Sequence, residues 1–132
     1  MRAVLAVVAG VVTGSVVITI IESLAHRVYP LPPLDFNDPV ALRAAIATLP
    51  LMALILVVVG WTVGTLAGAR TAVAISPRRQ VAWIVGGLFV ASTALNLYLI
   101  PHPVWMAVAG PAAVLAAAWL VSRSVGPLPL RT

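Results

Sequence analysis

The stretch A-V-L-A-V-V-A-G-V-V-T-G-S-V-V-I-T-I-I, residues 3–21, decides the fold class. It carries no charge from end to end, and its only polar members are threonine and serine. A run of about 20 such residues is what an α-helix needs to cross the hydrocarbon core of a bilayer. A cleaved signal peptide is the competing reading, with Arg2 as a positive start and Ser23-Leu24-Ala25 as a loose cleavage site. The run outlasts the apolar core of such leaders, roughly 7–15 residues, so it is expected to stay as a helix.

The rest of the chain continues this character. Of 132 residues 62% are hydrophobic and 8% charged, whereas a soluble domain is about half apolar and about a quarter charged. The expected fold is all-α: a polytopic membrane protein of four transmembrane helices forming one domain, 1–132. The spans are expected at about 3–26, 44–69, 81–100 and 104–122, since each apolar run there is long enough to cross. There is no cysteine, which excludes disulfides, thiolate catalysis and cysteine-held metals or clusters.

Between spans 1 and 2, residues 27–43 form a proline-rich outer loop with Pro30, Pro32, Pro33 and Pro39. Asp38 can accept from the free amides of a first helical turn, and Pro39 suits the first helical position. An interfacial helix is therefore expected over 39–48, divided from the second span or joined to it by a kink at Pro50. Arg70–Gln80 reads as a connection, and P-H-P at 101–103 as a minimal turn that makes spans 3 and 4 an antiparallel hairpin.

All eight basic residues are arginine. Arg2, Arg70, Arg78, Arg79, Arg123 and Arg131 fall on one side of the four-span arrangement. Arg27, Arg43 and every acid, Glu22, Asp35 and Asp38, fall on the other. The positive-inside rule then places both termini in the cytoplasm. The localisation expected is a bacterial cytoplasmic (inner) membrane. Arginines scattered between apolar runs make no basic patch, so no nucleic-acid partner is expected. The partners expected are the lipid bilayer and another membrane protein or a second copy.

Small residues recur every fourth position as Gly10 and Gly14 in span 1 and as Gly60, Gly64 and Gly68 in span 2. Glycine lets helix backbones approach closely, so these spans are expected to cross there, with Gly10 and Gly60 at comparable depth.

The polar residues are ordered as well. Ser15, Thr19, Glu22 and His26 draw one stripe along span 1, and Ser92 and Asn96 a shorter stripe at matching depth on span 3, with His102 just beyond its end. Polar groups in hydrocarbon face protein, and the two stripes are natural partners. Glu22, His26 and His102 form a candidate set for a divalent metal, although E-x-x-x-H lacks the second histidine of the zinc-protease helix. The two histidines are also candidate axial ligands of a haem, against which stands the position of His102 on a turn. A transporter using Glu22 as carrier lacks a route, because spans 2, 3 and 4 hold no ionisable residue at depth. The plainer reading pairs Glu22 with His26, Arg27 or Arg43 as a headgroup anchor without any cofactor. In that reading Tyr29, Tyr98 and Trp105 form an outer aromatic belt, and Trp61, Trp83 and Trp119 an inner one.

Taken together, E-x-x-x-H at 22–26, Y-P-L-P at 29–32 and I-P-H-P-V-W at 100–105 resemble small bacterial four-span membrane proteins. The resemblance implies the fold and brings no activity with it. Small multidrug exporters, by contrast, hold their essential glutamate deep in the first helix, whereas Glu22 lies near the end of span 1. The functional expectation is a non-catalytic interaction or assembly subunit of a membrane complex or homo-oligomer. The alternative is a metal- or haem-binding membrane protein built on Glu22, His26 and His102.

Overall fold

The computed structural model describes residues 1–126, and these contain five helices and no strand. Helix α1 spans Arg2–Val28, α2 Pro39–Ala47, α3 Leu51–Ile75, α4 Arg79–Leu99 and α5 Val104–Arg123. All but α2 are long and apolar enough to cross a membrane. Arg131, counted above with the cytoplasmic arginines, lies outside the described residues.

The local chemistry explains the boundaries. Asp38 caps α2 by accepting from the amides of Val40 at 2.9 Å and Ala41 at 3.1 Å, with Pro39 in the first turn. Leu42 and Ile46, one turn apart, are its buried face. Pro50 has no N–H to continue α2 and takes extended geometry, so α3 starts afresh at Leu51. Inside α5, Pro111 leaves the helix unbroken, because neighbouring helices tolerate one missing amide.

Several boundaries differ from the expectation. Helix α1 runs on through Arg27 to Val28, α3 begins at Leu51 instead of near 44 and continues through Arg70 to Ile75, six residues into the supposed connection, and α4 starts at Arg79 instead of near 81. Arginine interrupts an apolar run without interrupting a helix, since it has good helix propensity and a long stem that carries its charge away.

Helices α3 and α4 each touch all three other long helices, while α1 and α5 occupy opposite corners. The α1–α3 contact is the most extensive and is built on the glycines. A Cβ on Gly10 would lie 2.6 Å from the Gly68 carbonyl, and one on Gly68 would lie 2.5 Å from the Gly10 carbonyl. Gly14 and Gly64 oppose each other in the same way, at 2.7 and 2.8 Å. The register corrects the expected depth match: Gly10 meets Gly68, and Gly60 packs instead on Ile21 and Glu22. The helices are antiparallel, so each step along α1 is a step back along α3.

At the end carrying the N terminus, arginines tie helix ends together. Arg2 Nε donates to the Ile75 carbonyl at 2.7 Å, Arg70 to the Ser124 hydroxyl at 3.1 Å and Arg79 Nε to the Val125 carbonyl at 3.2 Å. Arg123 lies over the Trp119 ring, 4.8 Å from its centroid.

Candidate functional site

The site grows from one side chain, Trp61. It shares a helical face with Gly64, Thr65 and Gly68 at the i, i+3, i+4, i+7 spacing, and all four are buried. Gly110 of α5 makes room for it: a Cβ there would sit 2.8 Å from Trp61 Cζ3. With that space the indole lies inside the bundle, 5% exposed, and its N–H donates to Glu22 Oε1 at 3.3 Å. The indole and the His102 ring meet in a T-shaped arrangement, with centroids 6.3 Å apart and planes inclined at 67°. Trp61 therefore does not belong to an inner aromatic belt. It joins α1, α3 and the α4–α5 turn, whereas Trp83 and Trp119 are exposed on the bundle surface.

Two cavities flank this contact. The first, about 190 Å³, opens at the end away from the N terminus, with Glu22, His26, Tyr29, Asn96 and His102 among its lining. Apolar side chains of the loop and α2, including Leu34, Phe36 and Ile46, complete it. The second, about 240 Å³, runs between α1 and α4 and is lined by Ser15, Thr19, Glu22, Trp61, Ser92, Thr93 and Asn96, among others. Glu22 and Asn96 line both and stand between them.

The structure thus gathers the two polar stripes around one groove and brings Glu22, His26 and His102 to one cavity. It does not make them a tight cluster. Among the described residues, no three His, Cys, Asp or Glu side chains stand close enough to hold a metal ion together. Thr19 turns its hydroxyl back onto its own helix, donating to the Ser15 carbonyl at 2.9 Å. His26 is exposed, at the cavity's edge.

His102 is oriented by its own turn. Its Nδ1 lies 2.8 Å from the Ile100 carbonyl and donates to it, which leaves Nε2 as the acceptor of the neutral ring. Burial lowers its pKa below the ordinary histidine value, and the bond to Ile100 offsets this only in part. The cavity accordingly presents an acceptor on His102, an acceptor on Glu22 and the two-sided amide of Asn96, set in apolar walls.

Thr93 and Gly110 join the site without any mark in the sequence, and Trp61 is marked there only as a belt residue. The signal for its burial lies in its spacing from Gly64 and Gly68. No family model, curated protein or solved structure matches the chain.

Proposed function

We propose that the chain is a four-span protein of a bacterial inner membrane, with both termini cytoplasmic, that binds a small amphipathic molecule at its outer end. The orientation rests on the arginines: among the described residues Arg2, Arg70, Arg78, Arg79 and Arg123 stand at one end, and all three acids toward the other. The observation that carries the binding reading is the position of Glu22, held by Trp61 on the boundary of two cavities. Pockets for small molecules combine apolar walls with a few convergent polar groups, and this one has that make-up. Because Glu22 and the neutral His102 offer acceptors, the favoured occupant carries hydrogen-bond donors beside an apolar tail, as an alkylamine does. The role is binding, and no chemical step is assigned to these residues.

The test is calorimetric titration of the protein in lipid nanodiscs with octylamine and with octanoate. Octylamine is expected to bind saturably, octanoate not to bind, and Glu22→Gln to weaken octylamine by about 10- to 100-fold, the value of a hydrogen bond to a charged group. Equal binding of the two probes contradicts the reading.

A second reading, assembly through α1, has its own support. Only 17% of the most apolar window of α1 is buried, against 33–39% in the other three long helices. Its outward face is a regular stripe of Val4, Val8, Val12, Val16, Ile20 and Leu24. A second membrane helix laid along that stripe would bring α1 to the burial of its neighbours. Crosslinking from Val12→Cys in native membranes tests it: a discrete adduct supports it, and monomer alone contradicts it.

A further inference from the structure

The end of the molecule opposite Glu22 holds a third cavity, about 380 Å³, lined by Met1, Arg2, Ala3, Ser76, Pro77 and Arg78. Three features give it the character of a donor site. Arg2 is oriented by its Nε bond to the Ile75 carbonyl, which leaves its two Nη groups without a hydrogen-bond partner among the described residues. Arg78 is held by its backbone, whose N–H donates to the Ser76 carbonyl at 2.7 Å, while its guanidinium has no such partner. Ser76 is only 4% exposed and lines the cavity, and its hydroxyl makes no hydrogen bond among the described residues.

Among the other described arginines at this end, Arg70 and Arg79 each give one N–H to Ser124 and Val125, and Arg123 stacks on Trp119. Arg2 and Arg78 are the pair that lines one cavity, and no Asp or Glu side chain stands at this end among the described residues. Two guanidiniums and a hydroxyl, all donors, match the oxygens of a phosphate group, which guanidinium binds with paired hydrogen bonds. The position also suits a headgroup, since Arg2 starts one apolar helix and Arg78 immediately precedes another.

We propose that the cavity formed by Arg2, Ser76 and Arg78 binds a phosphate group, carried by an anionic lipid headgroup or by a soluble phosphate compound. This requires membrane insertion only for the lipid source, and it does not depend on the Glu22 cavity.

The test is native mass spectrometry of the full chain released from nanodiscs of mixed phosphatidylglycerol and phosphatidylcholine, with equilibrium dialysis against labelled inorganic phosphate beside it. Retention of phosphatidylglycerol over phosphatidylcholine by about thirtyfold is expected, as two surface arginines supply. The preference should vanish in Arg2→Gln/Arg78→Gln and persist in Arg123→Gln, whose guanidinium lies outside the cavity. Arg78→Gln alone, which breaks no bond within the protein, should lower it about fivefold. Loss of bound lipid on adding inorganic phosphate, or phosphate binding in dialysis, assigns the soluble source. Retention undisturbed by phosphate assigns the lipid. The proposal is overturned if neither lipid is preferred and phosphate does not bind. It is also overturned if Arg123→Gln abolishes the preference as fully as the double variant, because general charge would then be the cause.

Discussion

The Trp61 indole N–H donates to the Glu22 carboxylate over 3.3 Å, linking two helices at positions 39 residues apart in sequence. The bond places the one carboxylate within the long helices against a buried aromatic ring. Removing the donor should leave that carboxylate half-buried and short of a partner. Trp61→Phe is therefore expected to cost about 1–3 kcal/mol in detergent unfolding. Glu22→Gln, which keeps an acceptor oxygen, should cost less. Equal costs for the two variants would show that the indole contributes bulk and not a bond.

The glycine crossing makes a sharper mechanical prediction. Gly68→Ala puts a methyl group 2.5 Å from the Gly10 carbonyl, backbone against backbone, with no flexible side chain to yield. Separation of α1 from α3 should cost about 1–3 kcal/mol, in the range of an overpacked core. Gly87→Ala is the internal control, since nothing lies within 4 Å of its added Cβ. Its unfolding midpoint should stay at the wild-type value or rise slightly. Matching losses at the two positions would contradict the crossing.

His102 predicts a pH dependence with a definite sign. Its folded pKa is lowered, so the unfolded chain binds its proton more readily than the folded protein does. Stability is fully present above the unfolded value, near 6.5, and falls as pH drops through that value toward the lower folded one. Thermal midpoints measured from pH 8 to pH 5 should fall over this window, and His102→Gln should flatten that fall. A midpoint that rises on acidification would contradict the burial of the ring.

Asp38 should act locally. Asp38→Ala removes the acceptor for the Val40 and Ala41 amides and should cost α2 about 1 kcal/mol. Hydrogen exchange is expected to speed up at residues 40–42 while the four long helices keep their protection. Unchanged exchange there would mean that Leu42 and Ile46 hold α2 by burial alone.

Much of this architecture is legible in the amino-acid sequence. Uncharged apolar runs mark the long helices, and Asp38-Pro39 marks the start of α2, because capping chemistry is local. The stripe Ser15, Thr19, Glu22 and its counterpart Ser92, Asn96 are legible because polar groups stand out against an apolar background. The burial of Trp61 is not, because within an apolar helix a tryptophan facing lipid and one facing protein read alike. What separates them is the glycine and threonine spacing beside it, together with Gly110 on a distant helix, and no local signal joins those. The glycine register is hidden for a related reason: repeats every fourth residue permit several alignments, and side-chain packing chooses among them. The ends of α1 and α3 escape a hydropathy reading because arginine ends an apolar run without ending a helix.

The central claim is that Glu22, Trp61 and His102 form one binding site at the bundle's end. Indole-¹⁵N NMR of tryptophan-labelled protein in nanodiscs tests it most directly, because the Trp61 N–H is itself bonded to Glu22. On titration with octylamine the Trp61 resonance should shift saturably, Trp83 and Trp119 should stay still, and Glu22→Gln should move the midpoint of the Trp61 shift to about 10- to 100-fold higher octylamine. A Trp61 resonance that stays fixed while a surface tryptophan moves, or an unchanged midpoint in Glu22→Gln, would contradict the account.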